Sequence, residues 1–355
     1  GQHIKAKNRI AASFLADAGI QRTLHSMSDS LLFPTVSKEA TPNGGTVEAS
    51  AVAWGPYVLV RSHGGFANQT VLATALIGSA PPEYFSSAVT VTDASYPFVV
   101  AGNTTIKGDV NTGPLGMTTG RIRGEGIVNE NFHTGALHML QAPTALTLNS
   151  MVLDRYLSDQ RNRRNASSKT FSGTQVWQVI ERPNTHQNYS AKIENNLKLE
   201  NCEYASPTLI TSLFVNGYVE IAGNTRLSGL TEIVADGPIY LRDSAVVDGA
   251  ILWSEDSIVI SRSSRFSGIA ISNRRIVVKD KASLTYPGLL LVTGNDESKD
   301  DSCGIWLVSR GALEGLCYLR LKEPNHQESN YQIYLDTSSA FTGGIISEGR
   351  VDLRG

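Results

Sequence analysis

Three aspartates, Asp243, Asp280 and Asp336, fall at one position of a recurring turn, and stacked acids are what glycosidic bond hydrolysis requires. Such chemistry needs two carboxyl groups about 5–9 Å apart. The intervening copies of the turn carry Arg262 and Ser309, so no two acids are neighbours, and turn-capping accounts better for the aspartates. The acidic run Asp296, Glu297, Asp300 and Asp301 offers oxygens to a hard cation, but lacks the order of a calcium loop and is interrupted by Lys299. His133 and His138 have no cysteine or acid at ligand spacing. Gly124-Glu125-Gly126 and the glycines from Gly113 to Gly120 complete neither a phosphate loop nor a dinucleotide fingerprint. No Gly-x-Ser-x-Gly elbow occurs. The expectation is therefore no catalytic residue, no cofactor site and no metal site.

One further set has chemistry of a different kind. Tyr240, Trp306 and Tyr334 occupy one column of the repeat described next, and aromatic rings of that sort stack on sugars.

The residues that position these groups repeat along the chain. Ile221, Leu241, Ile260, Val278, Leu307 and Leu335 are each followed six residues later by a second apolar residue: Leu227, Val247, Phe266, Leu284, Leu313 and Phe341. Two residues beyond stands Gly229, Gly249, Gly268, Gly315 or Gly343, with Tyr286 the exception. Val100, Ile106 and Gly108 form an outlying copy, and its turn Ala101-Gly102-Asn103-Thr104 recurs as Ala222-Gly223-Asn224-Thr225. The anchors are 20, 19, 18, 29 and 28 residues apart, and two polar segments, 293–302 and 320–330, absorb the surplus. The units are short, β-branched and alternating, with no helical period. They predict a mainly β chain: a parallel β-helix of three short strands per coil, its coils stacked about 4.8 Å apart.

Alternate residues of a strand face opposite sides. Phe98, Val219, Ile239, Ile258, Ile276, Ile305 and Ile333, with the anchors, are expected to form two inward ladders. Val99, Glu220, Tyr240, Val259, Val277, Trp306 and Tyr334 then point outward. That mostly apolar column calls for cover from within the chain, residues 112–212 being the candidate, or from a partner.

Upstream, Ile4 to Leu32 reads as a helix with a stripe of Ile20, Leu24, Met27 and Leu31, stopped by Pro34. Thr46–Ala53, Tyr57–Ser62 and Gln69–Ile77 read as a three-stranded meander broken at Gly55-Pro56 and Gly64-Gly65. The domain reading is 1–95 for helix plus meander and 96–355 for the β-helix, interrupted at about 112–212 by degenerate coils. Within that interval Thr144–Gln160 is a helix candidate, Arg161–Lys169 an exposed loop and Gln175–Ile180 a strand.

With 41% hydrophobic and 18% charged residues, the 355-residue chain should fold. Its net charge of -2 gives no basic surface for nucleic acid and no polybasic membrane patch. Cys202, Cys303 and Cys317 are too few for a disulfide framework, leaving a Cys303–Cys317 bridge or plain buried thiols. No apolar stretch is long enough to span a bilayer. The chain opens on Gly1 without a methionine, so a signal or anchor is expected to have been removed upstream.

The repeat over Val219–Leu353 and Phe98–Gly108 resembles right-handed parallel β-helix proteins, and in particular the bactofilin type of polymer-forming bacterial scaffold. The leading helix and the Trp54-Gly55 meander are similar to the soluble part of type IV pilin-like or pseudopilin proteins. These resemblances imply a non-enzymatic protein of the bacterial cell envelope, extracytoplasmic and tethered through an upstream membrane anchor. Its partners would be further copies of itself, other envelope proteins or a polysaccharide. A polysaccharide-binding or polysaccharide-cleaving β-helix and a pseudopilin-like subunit of a secretion or pilus assembly are the alternatives.

Overall fold

The computed structural model describes residues 2–29, 37–78, 87–91, 97–102, 104–121, 126–140, 151–180, 188–294, 303–321, 332–347 and 350–353. The chain divides into two compact units, one of residues 1–80 with 148–163 and one of 81–147 with 164–355.

In the first unit, helix α1 (Gln2–Asp29) packs on an antiparallel sheet of β1 (Ser37–Ala40), β2 (Gly45–Trp54), β3 (Tyr57–Phe66) and β4 (Gln69–Ile77), in that order. Gly55-Pro56 closes the β2–β3 hairpin, with Trp54 opposite Tyr57. Ile20, Ala51, Val58 and Val60 make the core, joined by Leu24, Met27 and Val152 from helix α2 (Met151–Asn165). The buried stripe of α1 runs through Ala12, Ala16, Gly19, Ile20 and Thr23, earlier in the helix than expected, and Leu31 lies outside the described residues.

Gly64-Gly65 does not break β3 as the sequence suggested. A Cβ at Gly64 would sit 2.1 Å from Ala12 O and 2.4 Å from Ala16 N, and one at Gly19 would sit 2.0 Å from Ser62 Oγ. The two glycines let a helix backbone rest directly on a strand, so glycine here marks close approach and not a turn. β1 escaped prediction because its four residues, Ser-Lys-Glu-Ala, are all exposed and carry no alternating pattern. Helix α2 runs through Asn165, into the segment read as a loop.

The second unit begins with a small stack of parallel strands. Phe98–Val100 pairs with Met117–Thr119, Ile106–Lys107 with His133–Thr134, and Val110–Thr112 with both Val89–Thr90 and Leu137–Met139. Val100, Ile106 and Val110 are its buried centre, so the outlying copy of the repeat does form coils.

The main stack consists of two nine-stranded parallel sheets whose strands alternate along the chain. One sheet is built from short strands, including Val219–Ala222, Ile239–Leu241, Ser257–Ile260 and Arg275–Val278. The other holds longer strands such as Arg226–Ala235, Val246–Ser254 and Arg265–Ser272. Each strand pairs with the equivalent strand one repeat away, which is the stacked-coil arrangement of a parallel β-helix or roll. In register, Val219 pairs with Ile239, Ile239 with Ile258, Ile258 with Ile276, Ile276 with Ile305 and Ile305 with Ile333. All six are buried in one core cluster with the anchors Ile221, Leu241, Ile260, Val278 and Leu307. The inward ladders stand as the alternation required.

The number of strands per coil differs from the expected three. The second and third segments are one continuous strand, bent where its register shifts, as between Asp248 and Ala250 or Ser267 and Gly268. Gly229, Gly249, Gly268, Gly315 and Gly343 sit at these bends with positive φ, so the chain turns a corner without leaving the ladder. In the coil with Tyr286 at that place, Gly288 supplies the glycine and pairs with Gly268.

Two coils precede the repeat recognised in sequence. Leu197–Glu200 pairs with Val219–Ala222, and Gln175–Trp177 with Leu197–Glu200. Leu199 and Tyr204 are five residues apart where the later coils have six, which hid the first of these. Phe171 and Trp177 stand at inward positions of the first coil with ring centroids 5.1 Å apart, and Lys169 Nζ lies 4.6 Å from the Phe171 ring.

Two tests follow from this packing. Ile258→Ala should cost about 2–4 kcal/mol in denaturant unfolding through the cavity it leaves, whereas Val176→Ala, at an exposed outward site, should change stability by less than about 0.5 kcal/mol. Gly64→Val should lower the stability of the first unit by about 2–3 kcal/mol or unfold it, because the contact is with helix backbone. Denaturant unfolding of the three variants, followed by far-ultraviolet circular dichroism, checks both.

Candidate functional site

The parallel register of the short strands sets one residue of each coil above the next on the outer face. Lys198, Glu220, Tyr240, Val259, Val277, Trp306, Tyr334 and Asp352 follow in line. Trp306 and Tyr334, one step apart, hold their ring centroids at 4.8 Å with planes tilted 42°. The Trp306 indole N–H donates to Cys303 O at 3.4 Å, fixing its edge. Tyr240 stands three steps from Trp306, about 14 Å at the spacing of paired strands. The three rings proposed as a sugar platform are thus a close pair and a separate tyrosine.

Cover for this column was expected, and the described structure places the strongest burial elsewhere. Tyr240 is 37% exposed, and Val259, Val277, Trp306 and Tyr334 are half-buried. By contrast Phe214, Trp253, Ile271 and Leu291, on the outer side of the long strands, are at most 6% exposed. That row lies past the glycine bend, where the sequence reading had not sorted inward from outward residues.

At the other end of the column the groups are charged. Glu220 accepts from Arg242 and lies 3.4 Å from Lys198 Nζ; Arg242 Nε is 3.7 Å from Asp243, which accepts from Arg262 Nη1 at 3.0 Å. The Glu220 charge raises the Lys198 pKa, and the hydrogen bond and charge of Asp243 raise that of Arg262. A cleft of about 320 Å³ opens here, lined among others by Lys198, Glu200, Glu220, Arg242 and Asp243. Because cations and carboxylates alternate from coil to coil, the chain of charges ties neighbouring coils together and presents no surplus of either sign.

The recurring aspartates fall into two kinds of turn. Asp243-Ser244, Arg262-Ser263, Asp280-Lys281 and Ser309-Arg310 each hold two successive residues at positive φ, and these turns stack through Ser244 N–H to Arg262 O and Ser263 N–H to Asp280 O. Short polar residues tolerate that conformation best. Asp336 works differently. Its Oδ1 accepts from Ser338 N at 3.0 Å, Ser338 Oγ at 2.9 Å and Ser339 Oγ at 2.7 Å, while Oδ2 accepts from Ser309 N of the preceding coil at 2.7 Å. Desolvation opposes its charge, but the Ser339, Ser309 and Ser338 bonds outweigh it and hold the carboxyl below its ordinary pKa.

Asp248 accepts from Ser267 Oγ, which in turn accepts from Gly249 N at 3.2 Å; no histidine or lysine takes part in these bonds. Sequence inspection missed Glu232, a fully buried carboxylate that accepts from Ser212 Oγ at 2.7 Å. Alternation puts it on the face away from the inward Ile233, where exposure is expected, so no local signal marks its burial. His133 Nε2 lies 3.1 Å from Gly108 O, and His138 Nε2 3.9 Å from Asp109. Among the described residues no three His, Cys, Asp or Glu gather as metal ligands. The acidic run Asp296, Glu297, Asp300 and Asp301 lies outside those residues. Cys202, Cys303 and Cys317 are buried and form no disulfide, so Cys303 and Cys317 are not bridged, and burial raises the pKa of the Cys202 and Cys317 thiols.

No family model and no curated protein matches the sequence. Among solved structures the chain is similar to the competence-associated pilin ComZ from Thermus thermophilus, with 9% identity and a TM-score of 0.19, covering 98% of this chain and 92% of that one. Similarity at that level carries no argument about fold or function.

The Asp336 turn gives a pH test. A carboxyl whose pKa is lower folded than unfolded stabilises above the unfolded value, about 4, and loses that contribution as pH falls through the folded value. Asp336→Ala should therefore be less stable than the parent at pH 7, and the gap should shrink steadily below about pH 4. Urea midpoints across that range measure it.

Proposed function

We propose that this chain is a structural protein of the bacterial cell envelope, in which a pilin-like helix-on-sheet unit is joined to a parallel β-helix that serves as a spacer and assembly surface. The observation that carries the reading is the uninterrupted ladder from Val219 to Ile333, whose inward positions all go to packing. Nine coils at about 4.8 Å give the main stack a length of about 40 Å along its axis. The Lys198–Glu220–Arg242 chain further ties coil to coil, as a mechanical element needs. A right-handed coil is the sense assigned, since parallel crossover connections are right-handed in nearly all known cases.

The α1–β4 unit supports the pilin-like part, because a long helix resting on an antiparallel meander is the arrangement that resemblance implies. On this reading the full-length protein is tethered by a segment upstream of α1 and lies outside the cytoplasm, meeting further copies or other envelope proteins. Carbohydrate binding is the second reading, favoured by the half-exposed Trp306–Tyr334 pair.

Fractionation tests the first reading. The full-length gene product, expressed in its own cells, should sediment with envelope membranes and be digested by protease added outside the inner membrane. Recovery in the soluble cytoplasmic fraction would overturn it. For the second reading, Trp306→Ala should abolish retention on envelope polysaccharide, and unchanged retention would remove it.

A further inference from the structure

The antiparallel sheet of the first unit has two edges of opposite character. At one edge β1 is four residues long; its Lys38 Nζ lies 3.7 Å from a Glu48 carboxyl oxygen, and its Glu39 accepts from Arg22. Short length and charge are how sheets blunt an edge against a further strand. At the other edge β4 is nine residues long and reads Gln-Thr-Val-Leu-Ala-Thr-Ala-Leu-Ile, with no charge, proline or glycine. Among the described residues no strand pairs with its far side and no backbone group bonds there. The hairpin fixes which of its groups point that way. Phe66 pairs with Gln69 across the two-residue turn Ala67-Asn68, which makes them the closing hydrogen-bonded pair. Bonded pairs then alternate, so Val71, Ala73 and Ala75 bond β3, while Thr70, Leu72, Thr74 and Leu76 turn their N–H and C=O groups to the open edge. Thr70 and Thr74 are exposed, and Leu76 is 46% exposed.

We infer that β4 pairs antiparallel with β4 of a second copy of this chain, joining two four-stranded sheets into one. Outward groups must meet outward groups, and the register centred on Ala73 satisfies Thr70, Leu72, Thr74 and Leu76 together. Thr70 then stands against Leu76 of the second copy, and Leu72 against Thr74. On the other face, which carries α1, Ala73 meets its own counterpart and Val71 meets Ala75, so small side chains adjoin there. No charge is set against a like charge. Because β1 blunts the far edge, each copy offers one open edge, and assembly closes at a two-fold dimer. The inference deepens the envelope reading by naming a surface through which copies meet, and rests on it only for where in the cell they do so.

Sedimentation velocity of this chain tests it, and a dimer is expected at micromolar concentration. Thr74→Pro removes an outward N–H and leaves the β3 ladder bonded, while Leu72→Lys sets a charge at the edge. Each should weaken dimerisation about a hundredfold or more with the far-ultraviolet circular dichroism unchanged. Should Thr74→Pro lose that signal, Leu72→Lys decides. Ala73→Cys should cross-link two copies under mild oxidation, since opposed residues that are not hydrogen-bonded bring their Cβ atoms close. Thr70→Cys should not, because its counterpart lies six residues along the strand, about 20 Å away. A monomer up to about 100 μM, a Leu72→Lys dimer as tight as the parent's, or equal cross-linking of the two cysteine variants would overturn the inference. Cytoplasmic recovery of the full-length protein would overturn the envelope reading and leave the dimer standing.

Discussion

Contact between like aliphatic side chains of successive coils is the interaction on which the rest of this structure depends. A single coil has one short and one longer strand and cannot bury its own apolar side; only a coil above and a coil below exclude water from it. Ile239, Ile258 and Ile276 are fully buried because each is covered by the next. Register follows from the same constraint, since a one-residue slip would turn every aliphatic residue outward. The glycine bends, the positive-φ turns and the charged chain on the outer face are all arrangements that let coils differing in sequence keep that register.

How much of this was legible depended on whether the physical cause acts along the chain or across it. The inward columns could be read because strand alternation is a local property, and Val219 to Ile333 needed nothing but counting. The two coils before them were legible only as degenerate ones with a strand at Gln175, and in the second of them one residue fewer between Leu199 and Tyr204 breaks the count while leaving the stacking intact. Gly64 shows the limit most clearly. In sequence it is a strand breaker; in the fold it is the place where Ala12 and Ala16 touch the sheet, a long-range fact with no local trace.

The candidate site was legible in its residues and not in its grouping. Trp306 and Tyr334 were placed on one column and do meet, but the distance to Tyr240 follows from intervening coils whose valines hold no ring. Of the turn aspartates, Asp336 binds backbone and hydroxyl groups of its own turn and of the preceding coil, while Asp243 pairs with Arg262.

The register of the ladder is open to direct measurement. Val259 and Val277 are opposite one another on the outer face, and the three native cysteines are buried and form no disulfide. Cysteines placed at Val259 and Val277 should form a disulfide under mild oxidation with the fold intact, whereas cysteines at Val259 and Lys279, two residues out of register, should not. Equal cross-linking of both pairs, or of the second alone, would contradict the stacked ladder and everything built on it.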